Sequence, residues 1–206
     1  MPSVVLEEIK KLKAIAETGL LYCSNEYDRE RYEELLAMSY RLLSNISGQD
    51  AASLKINLPA AADYPTVKVD VRGLLLSPEN KILLVQEMAD GKWALPGGWA
   101  DIGYSPAEVI IKEFREEAGL QVVPQNLLAV FDKQKHAHPP QPFYIYKMFF
   151  YCRADSFITR KGFDVLDVQF FFIDALPPLS EERVLKEQVE LLYKKVLSAD
   201  FETLFD

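Results

Sequence analysis

The stretch that decides the fold runs from Leu95 to Leu120, LPGGWADIGYSPAEVIIKEFREEAGL. It opens on a tight Pro96-Gly97-Gly98 turn, passes through a short connector and closes on a helix whose two ends are both written in sequence. Ser105, Pro106 and Glu108 take the N-cap, N1 and N3 positions. The serine side chain accepts from the Glu108 amide, Glu108 reaches back, and proline stands where its missing N–H costs nothing. Gly119 suits the left-handed position that ends a helix. The pattern therefore predicts a helix over 106–118, with Ala107, Ile110, Ile111, Phe114 and Ala118 as its apolar stripe. Glu113, Glu116 and Glu117 stand at i, i+3 and i+4, so three carboxylates share one patch, and each like-charged pair costs roughly a few tenths of a kcal/mol. One reading is a solvated acidic face. The other is a cation site, because hard oxygen ligands gathered beside the carbonyls of a Gly-Gly turn suit Mg²⁺ or Mn²⁺.

These residues also carry a resemblance. The segment resembles the Nudix box, G-x5-E-x7-R-E-U-x-E-E-x-G-U with U a bulky apolar residue. Gly98 takes the first position, Glu113 follows the basic position, Phe114 is U, Glu116-Glu117 is the acidic pair and Gly119-Leu120 closes the pattern. The resemblance implies an α/β sandwich, with a mixed sheet between helices, and hydrolysis of a phosphoric anhydride. It further implies metal ligation by Glu113, Glu116, Glu117 and the Gly97 carbonyl. Glu113 is then the first candidate to orient or deprotonate water, and Glu113, Glu116 and Lys112 form the catalytic group. Two positions depart. Tyr104 replaces the first glutamate and supplies no carboxylate, and Lys112 replaces arginine, keeping the charge but losing the planar fork. Glu108 is engaged in capping; Asp101, on the same connector, is a candidate substitute for the lost carboxylate.

Composition bounds the rest. A chain of 206 residues with 49% hydrophobic content can bury one good core plus a small accessory domain. The net charge of −8 argues against broad attraction to nucleic acid or acidic lipid without excluding a local basic groove. Cys23 and Cys152 lie far apart with no CxxC, as expected of free thiols in a reducing cytosol. The start, MPSVVLEEIKKLK, reads as an amphipathic helix rather than a signal peptide, and no apolar run is long enough to cross a bilayer, so a cytoplasmic protein without a membrane partner is expected.

Along the chain, residues 1–58 read as a helical domain. A first helix carries Val5, Ile9, Leu12, Ile15 and Ala16 and ends near Gly19. A second, capped by Asp28, carries Tyr32, Leu35, Leu36, Leu43 and Ile46 and ends at Ser47-Gly48; residues 50–58 add a helical turn. Residues 59–65, PAAADYP, form a linker. The second domain, 66–206, reads as strands over 66–76, 81–86 and 93–95, the helix, strands over 127–133, 143–152 and 168–173, and a last helix over 187–197. Phe170, Phe171 and Phe172 are expected in the core. The helical domain buries too little apolar surface alone, so a homodimer is expected.

A second resemblance covers nearly the whole chain. LKAIAETGL at 12–20, Tyr22 and EYDRERY at 26–32, with the later run 135–140 and Leu176 to Ser180, is similar to bacterial Nudix hydrolases with an N-terminal helical domain. These include CDP-choline pyrophosphatases, some linked with 3′-to-5′ RNA exonuclease activity. The implied substrate is a small-molecule nucleotide, CDP-choline first and ADP-ribose second. RNA processing and a non-catalytic nucleotide sensor are the alternatives. Arg72, His136, His138 and Tyr144 are the candidate substrate-binding residues. For the two histidines, phosphate contact from a mobile loop stands against simple exposure. Asp164 and Asp167 read as a solvated turn, with a metal-shell or base role as the alternative; Tyr22, Tyr27 and Tyr32 read as packing or dimer contacts before base stacking.

Overall fold

The computed structural model describes residues 4–206. The chain forms two compact units: residues up to Val67 together with Pro140–Phe143, and Lys68–Pro139 together with Tyr144–Asp206.

The first unit holds helices α1 (Val4–Tyr22), α2 (Glu26–Ser47) and α3 (Ala51–Asn57) around a core of Ile9, Tyr40, Leu43 and Leu54. Gly19 does not end α1. It sits inside the helix against the Tyr32 ring, where an added Cβ would lie 2.3 Å from the ring carbons. Glycine here permits a close helix approach instead of stopping the helix. Asn25, not Asp28, caps α2 by accepting from the Asp28 amide, and Gly48 (φ 70°) ends it. Val5 and Ile15 of the expected stripe are exposed. The residues read as a linker are tied down: the Ala61 amide donates to Glu17, and the Tyr64 ring lies 6.4 Å from that of Tyr22.

In the second unit, β1 (Lys68–Leu75), β4 (Gly97–Trp99), β5 (Val123–Asp132), β6 (Ile145–Arg153) and β8 (Leu204–Phe205) form a mixed sheet in the order β4-β1-β6-β5-β8. β1 runs parallel to β6 and antiparallel to β4. A second, antiparallel sheet joins β3 (Trp93–Ala94), β2 (Ile82–Glu87) and β7 (Val165–Phe171). Two helices complete the unit, α4 (Pro106–Ala118) and α5 (Lys186–Leu197).

Alternation along β1 divides the interior. Val71 and Leu75 belong to a core with Val109, Ile110 and Phe114 of α4, and Gly73 lies under the Phe114 ring. Leu74 belongs to a core with Phe131, Phe149, Val189 and Leu192, the last two from α5. Asp70 and Arg72 share the Leu74 side and are buried there. This is the mixed α/β architecture that the box implies. Strand β4 differs from the reading of Gly97-Gly98 as a turn: with Gly97 at φ 146°, a Cβ would lie 2.0 Å from the Val71 carbonyl, so only glycine can pair this closely with β1. Phe172 is 49% exposed rather than in the core, because it falls just past β7, beside Lys81. Both cysteines are free. No helix among the described residues is long and apolar enough to cross a membrane.

Candidate active site

Helix α4 forms as its sequence requires. Ser105 and Glu108 make the reciprocal capping box, and Gly119 (φ 68°) ends the helix with its amide bonded to the Arg115 and Phe114 carbonyls. Val109, rather than Ala107 or Ile111, joins Ile110, Phe114 and Ala118 in full burial, so the buried face is offset from the expected stripe. The three carboxylates consequently meet different surroundings.

Glu117 is buried and its Oε2 accepts from the Gly97 amide at 2.9 Å. Burial pushes its carboxyl well above the usual range. Arg72 and the Gly97 amide pull it back, while Glu113 and Glu87 add repulsion. Glu113 lies against Gly98, where a Cβ would come within 2.9 Å of Glu113 Oε1. Its carboxyl is likewise raised by burial, eased by Lys112 and Arg72 and raised further by Glu116 and Asp164. Glu116 is turned towards cations, with Lys112 Nζ at 3.6 Å and Arg115 Nη2 at 3.4 Å.

Asp164 was read as part of a solvated turn. The structure brings it to α4. The Arg160 amide donates to the Ala118 carbonyl (2.9 Å) and the Gly162 amide to the Glu117 carbonyl (3.0 Å), so this loop docks on the end of the helix. Gly162 is required there, since a Cβ would fall 1.8 Å from the Glu116 carbonyl oxygen. Asp164 Oδ1 is then buried without a hydrogen-bond partner, close enough for its charge to act on Glu113. Gly162, in KGFD (161–164), is the one local residue that could signal this close approach; pairing a loop with a helix end so distant in sequence has no local signature.

Of the other expected site residues, Arg72 lies on the α5 side with Leu74. Arg72, expected at the substrate, is 5% exposed, and its guanidinium donates to Asp70 through Nε and Nη2 and to the Leu95 carbonyl through Nη1. It also faces Glu87 at 3.6 Å, which Arg183 Nε holds at 2.7 Å. Lys147 pairs with the other side of Asp70. His138, expected on a mobile loop, is 3% exposed: Nδ1 meets the Glu181 carbonyl at 2.5 Å, and burial together with Lys147 and Lys133 holds the ring down at about 4. His136 is half-buried, with Nε2 3.2 Å from Asp206. Tyr144 is half-buried just before β6, its carbonyl accepting from the Lys68 amide. The structure therefore gathers Gly97, Gly98, Glu113, Glu117 and Asp164, sets Arg72 beneath them as a buried support, and engages the histidines with the chain's own later loops.

Among the described residues, no three His, Cys, Asp or Glu side chains converge closely enough to hold an ion as they stand. The donor chemistry nonetheless fits a hard divalent cation. The ligands are carboxylates, Glu113 rests in a cradle that a Cβ would fill, and Glu113 raises Glu117 while Glu116 and Asp164 raise Glu113, a repulsion that a cation relieves.

Comparison with known proteins gives the same family over both units. Residues 66–192 match the model of the NUDIX domain, and residues 4–56 match that of a UDP-X-like, N-terminal oligomerisation domain. Bacillus subtilis YjhB, provisionally named an ADP-ribose pyrophosphatase, is 42% identical over 201 residues, 98% of this chain and 96% of its own. The crystal structure of a UDP-X diphosphatase is 36% identical, with a TM-score of 0.63, over 97% of both chains. That of an ADP-ribose pyrophosphatase from Streptococcus suis is 38% identical, with a TM-score of 0.62, and covers 68% of this chain and all of its own.

Proposed function

The chain belongs to the Nudix hydrolase family, and from that premise we propose that it is a divalent-metal-dependent pyrophosphohydrolase of nucleoside diphosphates linked to a second moiety. The observation that carries this reading is the Glu113–Glu117 pair, packed against Gly97 and Gly98 with both carboxyls raised. Perturbed groups gathered at one site are where catalysis is expected. Glu113, Glu116, Glu117 and the Gly97 carbonyl would hold Mg²⁺ or Mn²⁺, which when bound neutralises phosphate charge and acidifies water.

The chain's own residues do the rest. Gly98 gives Glu113 room to approach the turn, the Gly97 amide fixes Glu117, and the Lys112 ammonium lies 3.6 Å from Glu116. Asp164, beside Glu113 with an unpartnered oxygen, is a further acceptor for the proton of an attacking water. The relatives' names support ADP-ribose and UDP-linked compounds ahead of CDP-choline, which the sequence alone favours. The match of residues 4–56 to an oligomerisation domain, with Val5, Ile15, Leu42 and Ile46 exposed, supports a homodimer.

The test is release of nucleoside monophosphate from ADP-ribose, a UDP-sugar, CDP-choline and a short RNA, with Mg²⁺ or Mn²⁺, for wild type and Glu116→Gln. Turnover of one small-nucleotide class, reduced by about 10²-fold or more in the variant, is expected. Tight binding of a nucleotide without turnover of any compound would make this a sensor and overturn the reading.

A further inference from the structure

The two residues that depart from the box pattern lie against each other. Lys112 Nζ is 5.9 Å from the centroid of the Tyr104 ring. The same ammonium lies 3.0 Å from Asp101 Oδ2 and 3.6 Å from Glu116 Oε2. One cation is thus shared between a carboxylate of the connector and a carboxylate of the acidic patch, and it stands nearer the connector. Helical spacing makes Glu116 the default partner of Lys112. Asp101 competes for it because the sheet holds the connector in place. The Ala100 amide donates to the Val69 carbonyl of β1 (2.9 Å), and the chain then turns back through Gly103 (φ 94°), with the Tyr104 amide bonded to the Asp101 carbonyl at 3.3 Å. Asp101 is the only acidic residue between Gly98 and Glu108. Glu108 does not reach this ammonium in the structure; its carboxylate is held by the Ser105 amide and hydroxyl, both at 2.7 Å.

We propose that Asp101 is a positioning residue that draws Lys112 away from Glu116 and so keeps that carboxylate available to a divalent cation. This rests on the hydrolase reading above. An ammonium is a compact charge with three donors, able to serve two carboxylates and to shift between them. A divalent ion held at Glu116 would repel it. Asp101 on one side and the face of Tyr104 on another give the ammonium a place to settle when that happens. Tyrosine at 104 and lysine at 112 are then parts of one arrangement, in which the carboxylate missing from the box pattern is supplied three residues earlier in the chain.

The experiment is a Mn²⁺ titration followed by electron paramagnetic resonance, on wild type, Asp101→Asn, Lys112→Met and the double variant. The metal concentration for half-maximal hydrolysis is measured alongside, and thermal melts check that each variant folds. Asp101→Asn is expected to raise the Mn²⁺ Kd about three- to fivefold, the size of an exposed ion pair, and to raise the half-maximal metal concentration by the same factor. In the Lys112→Met background the same substitution is expected to change the Kd by less than about twofold, because the competing cation is gone. An unchanged Kd in Asp101→Asn overturns the proposal. So does an equal loss in both backgrounds, which would make Asp101 a ligand in its own right. Wild type that binds no Mn²⁺ overturns the hydrolase reading as well, whereas tight wild-type binding indifferent to Asp101 overturns the positioning role alone.

Discussion

Asp70 on β1 and Glu117 on α4 are buried alike, 4% and 5% exposed, yet their carboxyls are driven in opposite directions. Burial would raise Asp70, but Arg72 and Lys147, both hydrogen-bonded to it, outweigh burial and bring it down to about 2. Glu117 has the same burial, a single amide donor and Arg72 acting through space, and it stands well above the carboxylate range. The fold compensates the first charge with two cations of its own. It leaves the second exposed to its acidic neighbours, and that shortfall is what a cation from solution can fill. On the proposed reading, the difference separates a structural ion network from a metal-binding site in side chains that the sequence shows only as acidic.

Breaking each side in turn sharpens the contrast. The largest effect is expected from Asp70→Asn, which strands Arg72 and Lys147 as buried cations. A loss of about 3–5 kcal/mol of stability, read from urea unfolding, is the outcome. Unchanged unfolding would mean that the network is incidental. Glu117→Gln should do the reverse. Hydrolysis falls by about 10²–10³-fold at saturating metal, while the melting temperature holds or rises, because a neutral amide suits that buried position. A variant that loses stability instead would place Glu117 with Asp70 on the structural side.

The last effect concerns pH and is spread over a window rather than present at one pH. The His138 ring is held from 6.5 down to about 4, so between those values the unfolded chain binds a proton that the folded one does not. Stability contributed by neutral His138 is therefore present above pH 6.5 and is lost as pH falls towards 4, on the order of 3 kcal/mol in all. His138→Gln should flatten the dependence of unfolding free energy on pH in that window. An unaltered slope would show that the ring is not held neutral.

Much of this was legible in the chain. The capping box, the apolar period and Gly119 fix α4, because each acts within one or two helical turns and needs no distant partner. The same locality identified Glu113, Glu116 and Glu117 as one patch. Gly97-Gly98 was recognised as special, but the reason was not: the strand it forms depends on the Val71 backbone beside it. Gly19 shows the opposite failure, since a helix terminator by local rules became a packing surface for Tyr32.

The sequence by itself determined the order of the longer helices and strands, though not β4 or β8, together with the α/β class, the family resemblance and which carboxylates belong to the acidic helix. Tertiary structure alone decided which acidic groups are compensated. Lys147 reaches Asp70 only because β1 and β6 run side by side, and Asp164 reaches Glu113 only because its loop docks on the end of α4. Capping and periodicity are short-range properties carried by neighbouring residues. The charge state of a buried carboxylate depends on every charge within a few ångströms, and those charges come from strands and loops that only folding brings together.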